Sequence, residues 1–194
     1  GLPSSGVPAH WAAGEGTPGV AFLPDLSAAT RDRFAARIRG ARDPHDVVVA
    51  SLHWGPNWGY DVTAGERAFA HGLIDLAGVD VVHGHSSHHP KAIELHRGKP
   101  ILYGAGDLLN DYEGIAGAEA YRGDLVLIYV VTLAGAGHPC AAFDLLPFRL
   151  RRFTLTHPDE ADLVWLERRL NREYARFGGG VVRRGDDGFE LRWS

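Results

Sequence analysis

Four of the eleven histidines fall within seven positions, in the run His83-Gly84-His85-Ser86-Ser87-His88-His89. The apolar lead-in Val79-Asp80-Val81-Val82 precedes them, and Pro90-Lys91 closes the segment. Earlier in the chain His53 ends a second apolar run, Val47-Val48-Val49-Ala50-Ser51-Leu52. Neutral imidazole is a good ligand for first-row metals. A catalytic metal centre needs a few fixed nitrogen or oxygen ligands and one open position, where water becomes acidic enough to supply hydroxide near neutral pH. His53, His85 and His88 are therefore expected to be metal ligands and, through the metal, catalytic. The alternative for any one histidine alone is a structural role.

Other residues are placed around these three. His89 is expected to orient a ligand or to meet substrate. His83 is expected to close its strand with the side chain toward the core. Asp107 and Asn110 sit in a later loop that would reach the same place. Either would orient a metal-bound histidine or bind substrate, or the two would simply form a turn. Trp54, Trp58 and Tyr60 either wall a pocket, Trp54 then touching substrate, or pack. Asp43-Pro44-His45 spells a metal-like motif but precedes its strand, which puts it at the wrong sheet edge. There is no phosphate-binding Gly-rich loop, dinucleotide fingerprint or nucleophile-elbow serine.

The elements that must position these groups follow from periodicity. Asp46–Leu52 reads as a buried, β-branched strand. Thr63 and Glu66 form a capping-box pattern for a helix to about Ala77, with Phe69, Leu73 and Leu76 on its apolar face and Gly78 as its stop. Residues 79–83 are the next strand. Strand, helix, strand over 46–83 is a βαβ unit, so His53 and His83–His89 follow the carboxyl ends of parallel strands and emerge at one sheet edge. Before this unit, 1–24 reads as loop, and Ser27 caps a helix to about Arg39 with Gly40 as its stop. After it, 92–96 and 101–103 form a hairpin, and 112–123 look irregular. Leu125–Leu133 and Ala141–Phe153 are strands, with Pro147 marking an edge or a bulge. Asp159 starts a helix to about Phe177, and the tail forms two short strands around a Gly185-Asp186-Asp187-Gly188 turn.

Composition sets bounds on this picture. The 194 residues suit one domain with a sizeable core. A net charge of −4 gives no electrostatic case for a nucleic-acid partner. Cys140 is alone, which excludes a disulfide framework and a cysteine zinc cluster. No apolar run approaches a membrane span, and no signal-peptide pattern is present. The chain starts at Gly1 and has no methionine, so it is expected to be a fragment or a processed form of a longer protein.

Val48-Val49-Ala50-Ser51-Leu52-His53-Trp54-Gly55, Ala77-Gly78-Val79-Asp80-Val81-Val82-His83-Gly84-His85-x-x-His88, Ile93-Glu94 and Leu102-Tyr103-Gly104-Ala105-Gly106-Asp107 together resemble the CapA-type family of poly-γ-glutamate (capsule) biosynthesis proteins. That family lies within the calcineurin-like metallophosphoesterase superfamily. The resemblance is concentrated at 46–111. It implies an α/β fold, a four-layer αββα sandwich with a two-metal site between sheet ends. Residues 1–194 would then be a single domain, the C-terminal portion of a metallophosphoesterase-like domain with the N-terminal part missing. By position, His53 matches the superfamily's histidine after a strand, and His85 and His88 match its Gly-His loop. The implied cofactors are divalent manganese, iron or zinc, two in the full-length protein. The implied chemistry is hydrolysis by a metal-activated hydroxide.

The chain departs from that pattern in three ways. The superfamily's early Asp-x-His, Gly-Asp and Asn-His motifs do not occur in suitable context in residues 1–45. The loop is Gly-His-x-x-His, a looser spacing common in CapA-type proteins. The family's usual Ser-Leu-Gly-Asn-Phe segment reads Gly104-Ala105-Gly106-Asp107-Leu108 here. Two functions compete. One is a metal-dependent hydrolase acting on a phosphoester or amide bond of a small molecule or peptide-like polymer. The other is a non-catalytic accessory protein of capsule-polymer synthesis or export that keeps the fold. As a half-domain, the chain alone would bind metal weakly or bind a single ion.

Overall fold

The computed structural model describes residues 1–110, 117–185 and 188–193. Ser27 caps helix α1 (Ala28–Ala41), its hydroxyl accepting the Thr30 N–H at 3.3 Å. The helix runs through Gly40 rather than stopping there. Arg39 donates to the Leu76 carbonyl, and Arg42 donates to those of Ala77 and Gly78. These bonds tie the end of α1 to the end of helix α2 (Ala64–Ala77) and offset the weak helix propensity of an exposed glycine. Thr63 and Glu66 close the expected capping box on α2, with bonds of 3.1 and 2.7 Å. Gly78 ends the helix at φ +66°.

The first sheet holds β1 (Val49–His53), β2 (Val81–His85), β3 (Ile93–His96) and β4 (Lys99–Leu102), in the order β1-β2-β4-β3. β1 pairs parallel with β2, β2 pairs parallel with β4, and β3 runs antiparallel to β4. The expected βαβ unit and the following hairpin are both present. β1 differs from expectation in one respect. Among the described residues it is the edge strand of this sheet, with Val49 56% exposed, and it begins at Val49, after a turn in which Asp46 accepts from the Asp43 N–H. Asp43-Pro44-His45 lies in that turn, as its position before the strand implied.

Register decides which side chains share a face. Val82 pairs with Ile101, and Ile101 with Glu94. Glu94 accepts from Arg67 and His71 of α2, so this face lies beneath that helix. The opposite face carries His83 beside Leu102, and with it His85 and His53. His83 does not close the strand or turn into the core as expected. β2 continues to His85, and two-residue alternation puts both imidazoles on one side, His83 half-buried with its Nδ1 3.1 Å from Ser51 Oγ.

The second sheet holds β5 (Leu125–Leu133), β6 (Cys140–Arg151), β7 (Thr154–Thr156), β8 (Gly179–Arg184) and β9 (Gly188–Trp193). Its order is β5-β6-β9-β8, with β7 also on β6, and all its pairings are antiparallel. Pro147 is at a local edge rather than at a bulge, pairing among the described residues only with Leu127 of β5. It sits between the stretch of β6 that pairs β9 and the stretch that pairs β7, where its missing N–H breaks no ladder. The register shift falls at Thr132 and Leu133 instead. The strand ends at Arg151, and Phe153 lies in a left-handed turn at φ +57°. Within the stretch expected to be irregular, Glu119–Tyr121 forms a short 3-10 turn, and 112–116 lie outside the described residues. Asp186 and Asp187 of the expected hairpin turn also lie outside them.

Helix α3 (Glu160–Tyr174), capped by Asp159, packs on β8, and Asn171 bonds both the N–H and the carbonyl of Val181. One apolar core joins Leu52, Val82 and Ile101 of the first sheet to Leu125, Phe143, Leu145 and Phe189 of the second and Leu166 of α3. The chain is the expected α/β fold, two sheets with helices against each.

A candidate metal edge at the ends of two parallel strands

His53 and His85 are the last residues of β1 and β2 and are direct partners in the parallel register. Partners in a parallel pair point the same way. Their Nδ1 atoms lie 3.2 Å apart. His53 Nε2 is 2.9 Å from the Ser5 carbonyl oxygen, which can only accept. The His53 proton therefore sits on Nε2, and the Nδ1 lone pair faces His85. A backbone carbonyl on the far nitrogen is the usual device for fixing a metal-binding imidazole. Burial, reinforced by the neighbouring His53 and His83, pushes the pKa of His85 down to about 4. His85 is neutral at pH 7, as a ligand must be.

The donors suit a divalent transition ion. Two nitrogens each about 2.0–2.1 Å from one ion are roughly 2.8 to 3.4 Å apart between octahedral and tetrahedral angles, which brackets the observed separation. His88 stands in a separate arrangement. Its Nδ1 bonds Asp107 Oδ2 at 2.9 Å, and Asn110 Nδ2 reaches the same oxygen at 2.9 Å. A carboxylate on Nδ1 leaves the lone pair on Nε2, the carboxylate–histidine pattern of metal sites. Among the described residues, no three histidine, cysteine, aspartate or glutamate side chains converge to hold an ion. The structure thus joins His53 to His85 and joins His88 to Asp107 and Asn110. It does not bring the three histidines to one point.

Trp54 is not a pocket wall. Its side chain is 1% exposed, stacks on Tyr103 and donates its indole N–H to the Tyr103 carbonyl at 3.1 Å. Alternation puts it opposite His53, beneath Gly84. A Cβ on Gly84 would collide with the Trp54 indole and the carbonyls of Leu102 and Tyr103, so only glycine fits between the two histidines. His89 is buried as well, at 0% exposure, between Trp58, Tyr60 and Tyr121 with ring centroids 5.9, 4.6 and 4.8 Å away. Its Nδ1 donates to the Pro90 carbonyl, while its Nε2 has no partner among the described residues. Burial holds its pKa near 4. Direct substrate contact by His89 would require the three rings to part.

Several contributors left no trace in the sequence pattern. Ser5 ends a short 3-10 turn (Pro3–Ser5) distant from the strands in sequence, yet its carbonyl orients His53 and its hydroxyl bonds the Gly55 carbonyl at 2.9 Å. Ser86 Oγ bonds the same carbonyl at 3.1 Å. The Asn57 carbonyl takes the His88 N–H at 3.0 Å. Lys91, 2% exposed, donates to the Asp61 carbonyl at 2.6 Å and pins the loop that carries Trp58 and Tyr60. These are contacts between loops, and only the closing of the fold brings them together.

The family described as bacterial capsule synthesis protein PGA_cap matches residues 1–112, a span that includes every site residue named above except Tyr121. A probable polyglutamine synthesis accessory protein of Mycobacterium tuberculosis is 46% identical over 189 residues, which is 97% of this chain and 50% of that protein. The PGA biosynthesis protein CapA of Bacillus subtilis is 35% identical over 101 residues, 52% of this chain and 25% of its own length. The capsule biosynthesis protein CapA of Bacillus anthracis is 29% identical over 84 residues, 41% of this chain and 20% of its own length. The chain spans about half the length, or less, of these curated relatives.

Proposed function

Because the chain belongs to the bacterial capsule synthesis protein PGA_cap family, we propose that it is the histidine-bearing part of a metal-dependent hydrolase linked to capsule or poly-γ-glutamate metabolism. The bond cleaved is a phosphoester or an amide of a small-molecule or peptide-like polymer substrate. The observation that carries this reading is the facing His53–His85 pair, with one tautomer fixed by Ser5 and both rings on one sheet face. Manganese, iron or zinc held there and at His88 would supply Lewis acidity and lower the pKa of water. The chain's own part is positional. Ser5 holds the proton on His53 Nε2. Asp107, braced by Asn110, holds the proton on His88 Nδ1. Burial keeps His85 neutral, so one of its ring nitrogens carries a lone pair and only a tautomer shift is needed to turn that lone pair toward His53.

A second reading, a non-catalytic accessory protein that keeps the fold, is favoured by the name of the mycobacterial relative and by the separation of His88 from the other two histidines. Elemental analysis of the full-length protein purified without chelator separates the two. Bound transition metal, lost with hydrolytic activity in His53→Ala and His85→Ala, supports the hydrolase. Metal-free protein from a native purification overturns it.

A further inference from the structure

Ser86 follows His85 directly and has φ +130°. The other described non-glycine residues with positive φ, Arg97, Arg122, Arg152 and Phe153, lie between +51° and +57°, the ordinary left-handed turn region. Ser86 alone occupies a region used almost only by glycine. Such strain persists only where the surroundings over-determine the backbone.

Those surroundings are visible on both sides of Ser86. The Trp54 N–H bonds the His85 carbonyl at 2.9 Å, and the Ala105 N–H bonds the Gly84 carbonyl at 2.9 Å. Ser87 Oγ donates to the His89 carbonyl at 2.9 Å, and the His88 N–H to that of Asn57 at 3.0 Å. The Ser86 hydroxyl itself donates to the Gly55 carbonyl. That oxygen also accepts from Ser5, whose own carbonyl takes the His53 Nε2 proton. Gly55 is at φ +74°, and a Cβ there would lie 2.8 Å from Glu66 Oε1, so the position whose carbonyl joins the two serines requires glycine. A continuous path of hydrogen bonds therefore runs from the His53 ring through Ser5 and Gly55 to Ser86, the residue next to His85.

We propose that Ser86 is a positioning residue, held in a strained conformation by this path so that the His85 ring stays opposed to that of His53. Its relevance to metal rests on the reading of that pair as ligands. Glycine at this position would relieve the strain but would delete the hydroxyl and release the turn. Alanine would delete the hydroxyl and keep the strain.

The test compares wild type, Ser86→Gly and Ser86→Ala in the metal-free full-length protein, by thermal unfolding and by ring-nitrogen NMR of the histidines, and then by zinc titration. Ser86→Gly is expected to melt about 2–4 °C above Ser86→Ala. In Ser86→Gly the His53 ring is expected to lose its single Nε2–H tautomer, and zinc affinity to fall about ten- to a hundredfold below wild type. If Ser86→Gly melts no higher than Ser86→Ala, there is no stored strain and the proposal fails. It also fails if Ser86→Gly keeps the wild-type tautomer. A wild-type chain that binds no zinc while the tautomer responds to Ser86→Gly refutes the metal reading and leaves the positioning role standing.

Discussion

His88 gives its Nδ1 proton to Asp107 across 2.9 Å, and Asn110 braces the same carboxylate oxygen. Asp107 and Asn110 bond each other across the bend at 108–109, and the same carboxylate also bonds a histidine. They form a chain of side-chain bonds that ends on the His88 ring. If His88 is a ligand, Asp107→Ala should weaken divalent-metal affinity about ten- to a hundredfold. Asp107→Asn, which can still accept through its amide oxygen, should lose less. Competition against a coloured chelator measures both. Equal affinity in wild type and Asp107→Ala would count against His88 as a ligand.

Gly84→Ala tests the packing beneath the histidines. The added methyl meets the Trp54 indole and two backbone carbonyls that cannot move cheaply. Overpacking of this kind costs about 1–3 kcal/mol, and the Trp54–Tyr103 hydrogen bond would be strained as well. Urea unfolding should show the loss at unchanged slope.

Acid should attack the fold at Asp80. This side chain is wholly buried, and burial alone would raise its pKa. The bond from Lys99 Nζ at 2.6 Å and the N–H groups of Val48 and Gly137 outweigh burial and hold it below the ordinary 3.8. A depressed carboxyl stabilises the fold above its unfolded pKa and loses that contribution as pH falls through the folded value. The stability gap between wild type and Asp80→Asn should therefore be full above about pH 4 and shrink with further acidification. Chemical unfolding at several pH values below neutrality checks this. A gap that widens on acidification would contradict it.

Thr63→Ala should cost about 1 kcal/mol by removing one half of the capping box on α2. Glu66, 4% exposed, loses the hydroxyl that bonds its carboxylate at 2.8 Å, so the cost should sit at the upper end of capping effects. Thermal unfolding of the variant gives the value.

The parts of the site that follow from period and punctuation were legible in the sequence. A β-branched run, a capping box, a glycine stop and a second run fix a parallel βαβ unit, and with it the common edge for His53 and His85. Strand burial was not legible. Val47, Val48 and Val49 look like a central strand, but a period says which residues share a face and not how many neighbours a strand has. Trp54 was ambiguous for a related reason. Its packing under Gly84 depends on the β4 backbone passing alongside, which local pattern does not encode. For His83 the apolar pattern stops two residues short of the strand's end, and a boundary shift of two leaves alternation intact while changing which residue is last. Ser5 and Ser86 act through a carbonyl of a distant loop and have no spacing to find.

The facing histidines exist only because Ser51 lies opposite His83 and His53 opposite His85. A slip of one residue between β1 and β2 would turn one imidazole toward α2 and leave the other alone. An ion that needs both rings would bind the correctly paired sheet and no mis-threaded one, and binding would add its free energy to that pairing alone. Metal supply would then act as a proofreader of strand alignment as well as a requirement for chemistry.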